Sequence, residues 1–151
     1  MDFHQKKGFT LIEILIVIAI IAILAASIIP NFIGFDTEAR ITTTKSNLEA
    51  VRTRINLFRA KEGKYPKSLG DLTTTYYYDA GIKKLYLEKV PVEMLSDAEG
   101  VNLYVDMTSQ DTLGGEGGWV YLTDTAGIKI NMTEPLGKKW GSFADEVPSQ
   151  W

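Results

Sequence analysis

The sequence predicts an α+β protein in which a long N-terminal α-helix, its first half transmembrane, packs on a small antiparallel β-sheet. Three observations carry this. A nearly unbroken aliphatic run extends from Phe9 to Ile29. A second segment repeats apolar residues at helical spacing. Beyond it, short stretches alternate apolar and polar side chains, as half-buried strands do.

The 151 residues carry one such aliphatic run, which cannot join a soluble core. A globular part of about 90 residues is left, enough for a modest core that leans on a helix or on neighbours. There is no cysteine, so disulfides, thiolate metal sites and a Cys nucleophile are excluded. The single histidine is His4, ahead of the apolar run. Histidine-ligated haem or zinc and a Ser-His-Asp triad therefore have no residue to build on in the folded part. The net charge is −3. Basic residues are scattered apart from Arg52, Arg54 and Arg59, so no footprint for nucleic acid stands out.

Element by element, "KKGFTLIEILIVIAIIAILAASIIP" comes first. As a secretory signal peptide it would be cut near Ala25–Ser27, but the run is long for an h-region and Glu13 interrupts it. As a plain anchor its length suits the hydrocarbon. Glu13 then has no explanation, although a carboxylate in that setting costs about 2.5–3.5 kcal/mol.

The same residues resemble the processing site and N-terminal helix of the type IV pilin and type II secretion pseudopilin superfamily. Lys6, Lys7, Gly8, Phe9, Thr10, Leu11, Ile12 and Glu13 match its pattern position by position, and Pro30 falls where many members bend the helix. The resemblance implies a leader over 1–8 and a transmembrane and polymerisation helix over 9–35. The globular pilin-like domain, with the amphipathic half of the helix, then covers 36–151. It implies cleavage between Gly8 and Phe9 by a prepilin peptidase, and N-methylation of Phe9. The basic leader suits the cytoplasmic side. Loss of Asp2, Lys6 and Lys7 would take the chain from −3 to −4. The resemblance also gives Glu13 a partner, the cationic amine of Phe9 on a neighbouring subunit. In a dry filament core only one axial offset would neutralise both groups.

The second segment places Ile41, Leu48, Val51, Ile55 and Phe58 on one helix face, opposite Lys45, Glu49, Arg52, Arg59 and Lys61. Gly63 is a natural stop, with Tyr65-Pro66 beyond it. Joined to the first run this makes a helix of about 53 residues, roughly 80 Å long. Pro30 and Gly34 predict a kink at the join, or simply mark the membrane exit.

Residues 65–95 read as a loop-rich connector with one helical turn around Ser68 to Leu72. Tyr76, Tyr77 and Tyr78 within it suit packing or contacts between subunits, with substrate contacts or charge hopping as the rarer use. "VNLYVDMT" alternates as a strand, and "GGWVYLT" and "GIKIN" flank "DTA" as a hairpin. Three antiparallel strands on the Ile41–Phe58 stripe would bury one core, the architecture of the pilin-like fold.

Other chemistries find little support. Gly114-Gly115-Glu116-Gly117-Gly118 lacks the Lys-Ser or Lys-Thr of a phosphate loop and precedes a strand. Asp106, Asp111, Glu116, Asp124, Asp145 and Glu146 offer oxygen ligands, and the major pseudopilins bind calcium in a C-terminal loop, but no EF-hand spacing occurs. No cofactor is expected, with calcium the one metal admitted. Asn131-Met132-Thr133 is a glycosylation sequon of a kind common by chance.

The absent disulfide departs from classical type IVa pilins, and "VPVEML" stands near where the major pseudopilin has Asp-Pro-Trp-Gly. The resemblance thus implies a non-enzymatic subunit of a type IV pilus or type II secretion pseudopilus, closer to a pseudopilin. It would wait in the bacterial inner membrane among lipids with its domain in the periplasm. Its partners would be copies of itself, the prepilin peptidase, an inner-membrane assembly platform and a cytoplasmic ATPase. Two other readings stay open, a membrane-anchored periplasmic binding or sensing module and a conductive pilus subunit.

Overall fold

The structure, a computed structural model, describes residues 9–96 and 104–151, without the side chains of 28–35. The chain divides into two compact units, 1–36 and 37–151. Helix α1 is assigned from Leu11 to Glu62.

In the first unit the described side chains from Phe9 to Ser27 are all exposed. Leu, Ile and Ala favour helix or tolerate it without competing polar groups, so a helical backbone forms with its hydrogen bonds satisfied internally. The expected kink at Pro30 and Gly34 lies outside the described side chains. Among the described residues no helix is long and apolar enough to cross a membrane. The stretch 11–27 rises about 26 Å, and the span was expected to run on to 35.

In the second unit the predicted stripe is the floor of the core: Ile41, Leu48, Val51, Ile55 and Phe58 are all buried. Thr44 lies among them, its Oγ1 accepting the Met94 N–H at 3.1 Å. Arg40 Nε donates to Met94 O at 2.7 Å and Asn47 Nδ2 to Val92 O at 3.0 Å. These contacts hold an irregular segment against α1 and give partners to the N–H and C=O of Met94 and the C=O of Val92. The helix ends at Gly63, whose N–H reaches Arg59 O at 2.9 Å.

The connector contains a short helix, α2, at Asp71–Thr74, later than the expected turn at 68–72. After it comes a hairpin where the sequence predicts loop. Strands β1 (Tyr76–Asp79) and β2 (Ile82–Leu85) pair antiparallel, with Tyr76 opposite Leu85 and Asp79 opposite Ile82. Ala80 and Gly81 both take positive φ, 50° and 82°, the geometry of a tight type I′ turn.

A separate three-stranded sheet has the order β3-β4-β5. Strands β4 (Trp119–Leu122) and β5 (Gly127–Ile130) form the expected antiparallel hairpin. Strand β3 (Tyr104–Met107) runs parallel to β4, whereas an antiparallel neighbour was expected. The cause is the connection. Residues 108–118 are long enough to carry the chain back to the starting end of the sheet, which no tight turn does.

Trp119, Tyr121, Ile128 and Ile130 close the core from the sheet side, and Leu69, Leu72, Tyr86 and Leu95 fill its edges. The chain ends in two 3₁₀ segments, Lys138–Phe143 and Pro148–Gln150. Lys45 fastens this end to α1. Its Nζ lies 2.8 Å from Glu146 Oε2 and 4.2 Å above the Trp151 ring.

Candidate assembly site at the helix N terminus

The first described residues build a compact polar device on an otherwise apolar helix. Thr10 precedes the first helical residue, and its Oγ1 accepts the Glu13 N–H at 3.3 Å. In return, Glu13 Oε2 accepts from Thr10 N at 2.8 Å and from Thr10 Oγ1 at 2.9 Å. This is a reciprocal capping box of the Thr-x-x-Glu form, which satisfies backbone donors that the first helical turn leaves without partners.

The sequence reading assigned Glu13 only to a neighbour's Phe9 amine and missed this local role. Its signal was present: Thr-x-x-Glu stands immediately before an apolar run. Phe9 is 83% exposed and Leu11 82%, so the end of the helix presents a carboxylate inside a ring of uncovered apolar surface. Gly8 lies outside the described residues.

That terminus has counterparts in known proteins. The prokaryotic N-terminal methylation motif matches residues 3–29. The chain is 29% identical to the type II secretion system core protein G of Pseudomonas aeruginosa over 130 residues, 78% of this chain and 92% of that protein. The chain is thus similar to the type IV pilin and type II secretion pseudopilin superfamily.

Other relatives match over less of their length. The type IV major pilin protein PilA of Myxococcus xanthus is 46% identical over 61 residues, 40% of this chain and 28% of that protein. Fimbrial protein Q of Moraxella bovis is 41% identical over 80 residues, 48% of this chain and 51% of that protein. No solved structure matches. The fold agrees with the superfamily's α+β plan, a long N-terminal helix whose second half packs on small sheets.

The remaining candidates fall into place as supports. Of the three tyrosines, Tyr77 turns inward, its ring 4.6 Å from that of Tyr86, while Tyr78 is 67% exposed. Tyr121 donates its hydroxyl to Pro66 O at 2.7 Å, and burial pushes its pKa up to about 12. The glycine-rich loop is a buckle. Gly115 N donates to Asn131 Oδ1 at 3.1 Å, and Gly117 N to Asn131 O at 2.8 Å. Asn131, the sequon residue, is thus buried and engaged, which explains its amide without any glycan.

Glu93 locks this loop to the segment on α1. Only 3% exposed, it accepts from the N–H groups of Leu95, Ser96 and Gly118, a set of donors that suits a buried carboxylate. Gly117 sits beside it with φ +87°, and a Cβ there would lie 2.4 Å from Ser96 Cβ.

The acidic residues considered for calcium are largely engaged in loop contacts. Asp106 accepts from Ser68 Oγ and from Leu69 N. Asp111 accepts from Thr108 N and Oγ1, which holds its carboxyl below the usual range. Asp124 accepts from Ser109 Oγ and N, with the same effect. Among the described residues no group of three or more His, Cys, Asp or Glu side chains is placed to hold a metal.

Proposed function

We propose that this chain is a structural, non-enzymatic subunit of a helical filament, a pseudopilus or a pilus, matured by cleavage between Gly8 and Phe9 and N-methylation of Phe9. Before assembly it is held in the inner membrane by residues 9–35, with the domain outside the cytoplasm. A platform protein and an ATPase then drive its extraction. The observation that carries this reading is the uncovered apolar face of 9–27, interrupted by one carboxylate at its capped end. Apolar surface on that scale needs a cover, and lipid or neighbouring helices are the two that suit it. The match along most of a type II secretion core protein G and the absence of cysteine favour the pseudopilus.

In this scheme the Glu13 carboxylate meets the Phe9 amine of the next subunit, and Pro30 and Gly34 bend the helix at its exit. Intact-mass measurement of the protein from its host tests the reading. Loss of residues 1–8 with gain of one methyl group is expected; an uncut chain, or a cut near Ser27, would indicate a simple anchor or a secreted module instead.

A further inference from the structure

Within the folded unit the charges are segregated along the sequence. Residues 36–96 hold eleven Lys and Arg against eight Asp and Glu, whereas 97–151 hold three against nine. The structure brings some residues of each sign together, Arg54, Lys83 and Lys84 in one cleft with Asp79 and Glu88, and two aspartates at one sheet end.

On the basic side, the β1–β2 hairpin and α1 border a cleft of about 830 Å³ lined by Arg54, Tyr76, Asp79, Lys83 and Lys84. Lys83 Nζ stands 4.0 Å above the Tyr76 ring. Lys84 pairs with Asp79 at 2.7 Å, and Arg54 makes no ion pair among the described residues. Beside these cations Tyr78 and Ile82 are 67% and 60% exposed, so the hairpin presents apolar and cationic surface together.

On the acidic side, the parallel pairing of β3 with β4 makes both strands end at the same edge of the sheet. The loops that follow therefore emerge side by side. Ser109 binds Asp124, and Thr108 binds Asp111, which brings two exposed carboxylates to one tip. Neither makes an ion pair among the described residues.

We infer that the β1–β2 hairpin of one copy docks on the Asp111–Asp124 tip of another, forming the contact between folded units along the filament. This rests on the filament reading above. A basic surface meeting an acidic one is a heterologous, head-to-tail contact, and repetition of such a contact builds open helical assemblies rather than closed dimers. Complementary charge also sets the register and rejects hairpin-to-hairpin encounters, where like charges would meet.

The native absence of cysteine makes the test clean. In the full chain, Ile82→Cys combined with Thr125→Cys, both exposed and leaving every charge in place, is oxidised in assembled filaments. A ladder of disulfide-linked multimers is expected from the pair and none from either single variant. In parallel, Lys83→Glu with Lys84→Glu should lower filament yield about fivefold or more, and adding Gln110→Lys, Thr112→Lys and Thr125→Lys together, all exposed, which turns the tip net positive, should restore much of the loss. Wild-type yield from the double reversal, or a pair that gives no ladder in intact filaments, overturns the docking contact. Reduced yield without rescue overturns it too, because the hairpin then serves another partner. Absence of filaments from the unaltered chain overturns the filament reading itself.

Discussion

Glu13 has two candidate roles that one substitution separates. As a capping residue it needs only an acceptor, whereas as a partner for a cationic amine it needs a charge. Glu13→Gln keeps the acceptor, since glutamine serves at this position of a capping box. It is expected to leave the helix start intact and abolish or slow assembly, read by circular dichroism in detergent and by electron microscopy. Normal filaments from Glu13→Gln would reduce the residue to a cap. Glu13→Val removes both roles and is expected to leave membrane insertion unchanged. Asp111 and Asp124 act at the same scale. Hydrogen bonds depress both carboxyls below the ordinary 3.8, so their contribution is present above that value and is lost as the pH falls through the lower folded values. Amide protection factors at Thr108 and Ser109 should fall below about pH 4; protection unchanged down to pH 2 would contradict the loop contacts.

At the level of elements, what could be read from the sequence depended on burial. The stripe Ile41 to Phe58 was legible because one face is fully buried and the 3.6-residue period is written in residue type. The β4–β5 hairpin was legible for a similar reason, since Val120, Tyr121, Ile128 and Ile130 are buried. The β1–β2 hairpin was not. Six of its eight strand positions, all but Tyr77 and Leu85, are exposed and cannot be told from loop by hydropathy, because three consecutive tyrosines erase the two-residue alternation and the turn is Ala-Gly instead of Asn-Gly or Asp-Gly. The direction of β3 also escaped, because it depends on how a glycine-rich connection crosses the sheet. At the assembly site the motif was legible residue by residue, but the capping role of Glu13 was masked by the stronger anomaly of a charge in an apolar run. The glycine-rich buckle yields a direct test. Gly117→Ala meets both an unfavourable φ and the Ser96 side chain. A loss of about 1–3 kcal/mol in denaturant unfolding is expected, whereas a neutral result would mean that the Glu93 contacts rearrange freely.

For the whole molecule, charge is carried almost entirely by the folded unit, with one carboxylate in the apolar stretch 9–27. Contacts between folded units that depend on opposed charges weaken as salt is added, because exposed charges are screened over about 8–10 Å near physiological ionic strength. Filaments should therefore fall apart into shorter pieces in about 1 M salt, where the screening length is roughly 3 Å. Length distributions measured by electron microscopy check this. Unchanged lengths would assign cohesion to the helices and leave the folded units as passengers.

The uncovered helix also decides what kind of equilibrium assembly is. Lipid tails and neighbouring helices are similarly oily, so moving residues 9–27 from one to the other is a partition between two like solvents, with little net hydrophobic gain. On the contacts proposed above, the direction of that exchange rests on small terms, a single neutralised carboxylate and a few charges between folded units. A filament balanced in this way can be extended or dissolved by modest work at its base, without unfolding any subunit.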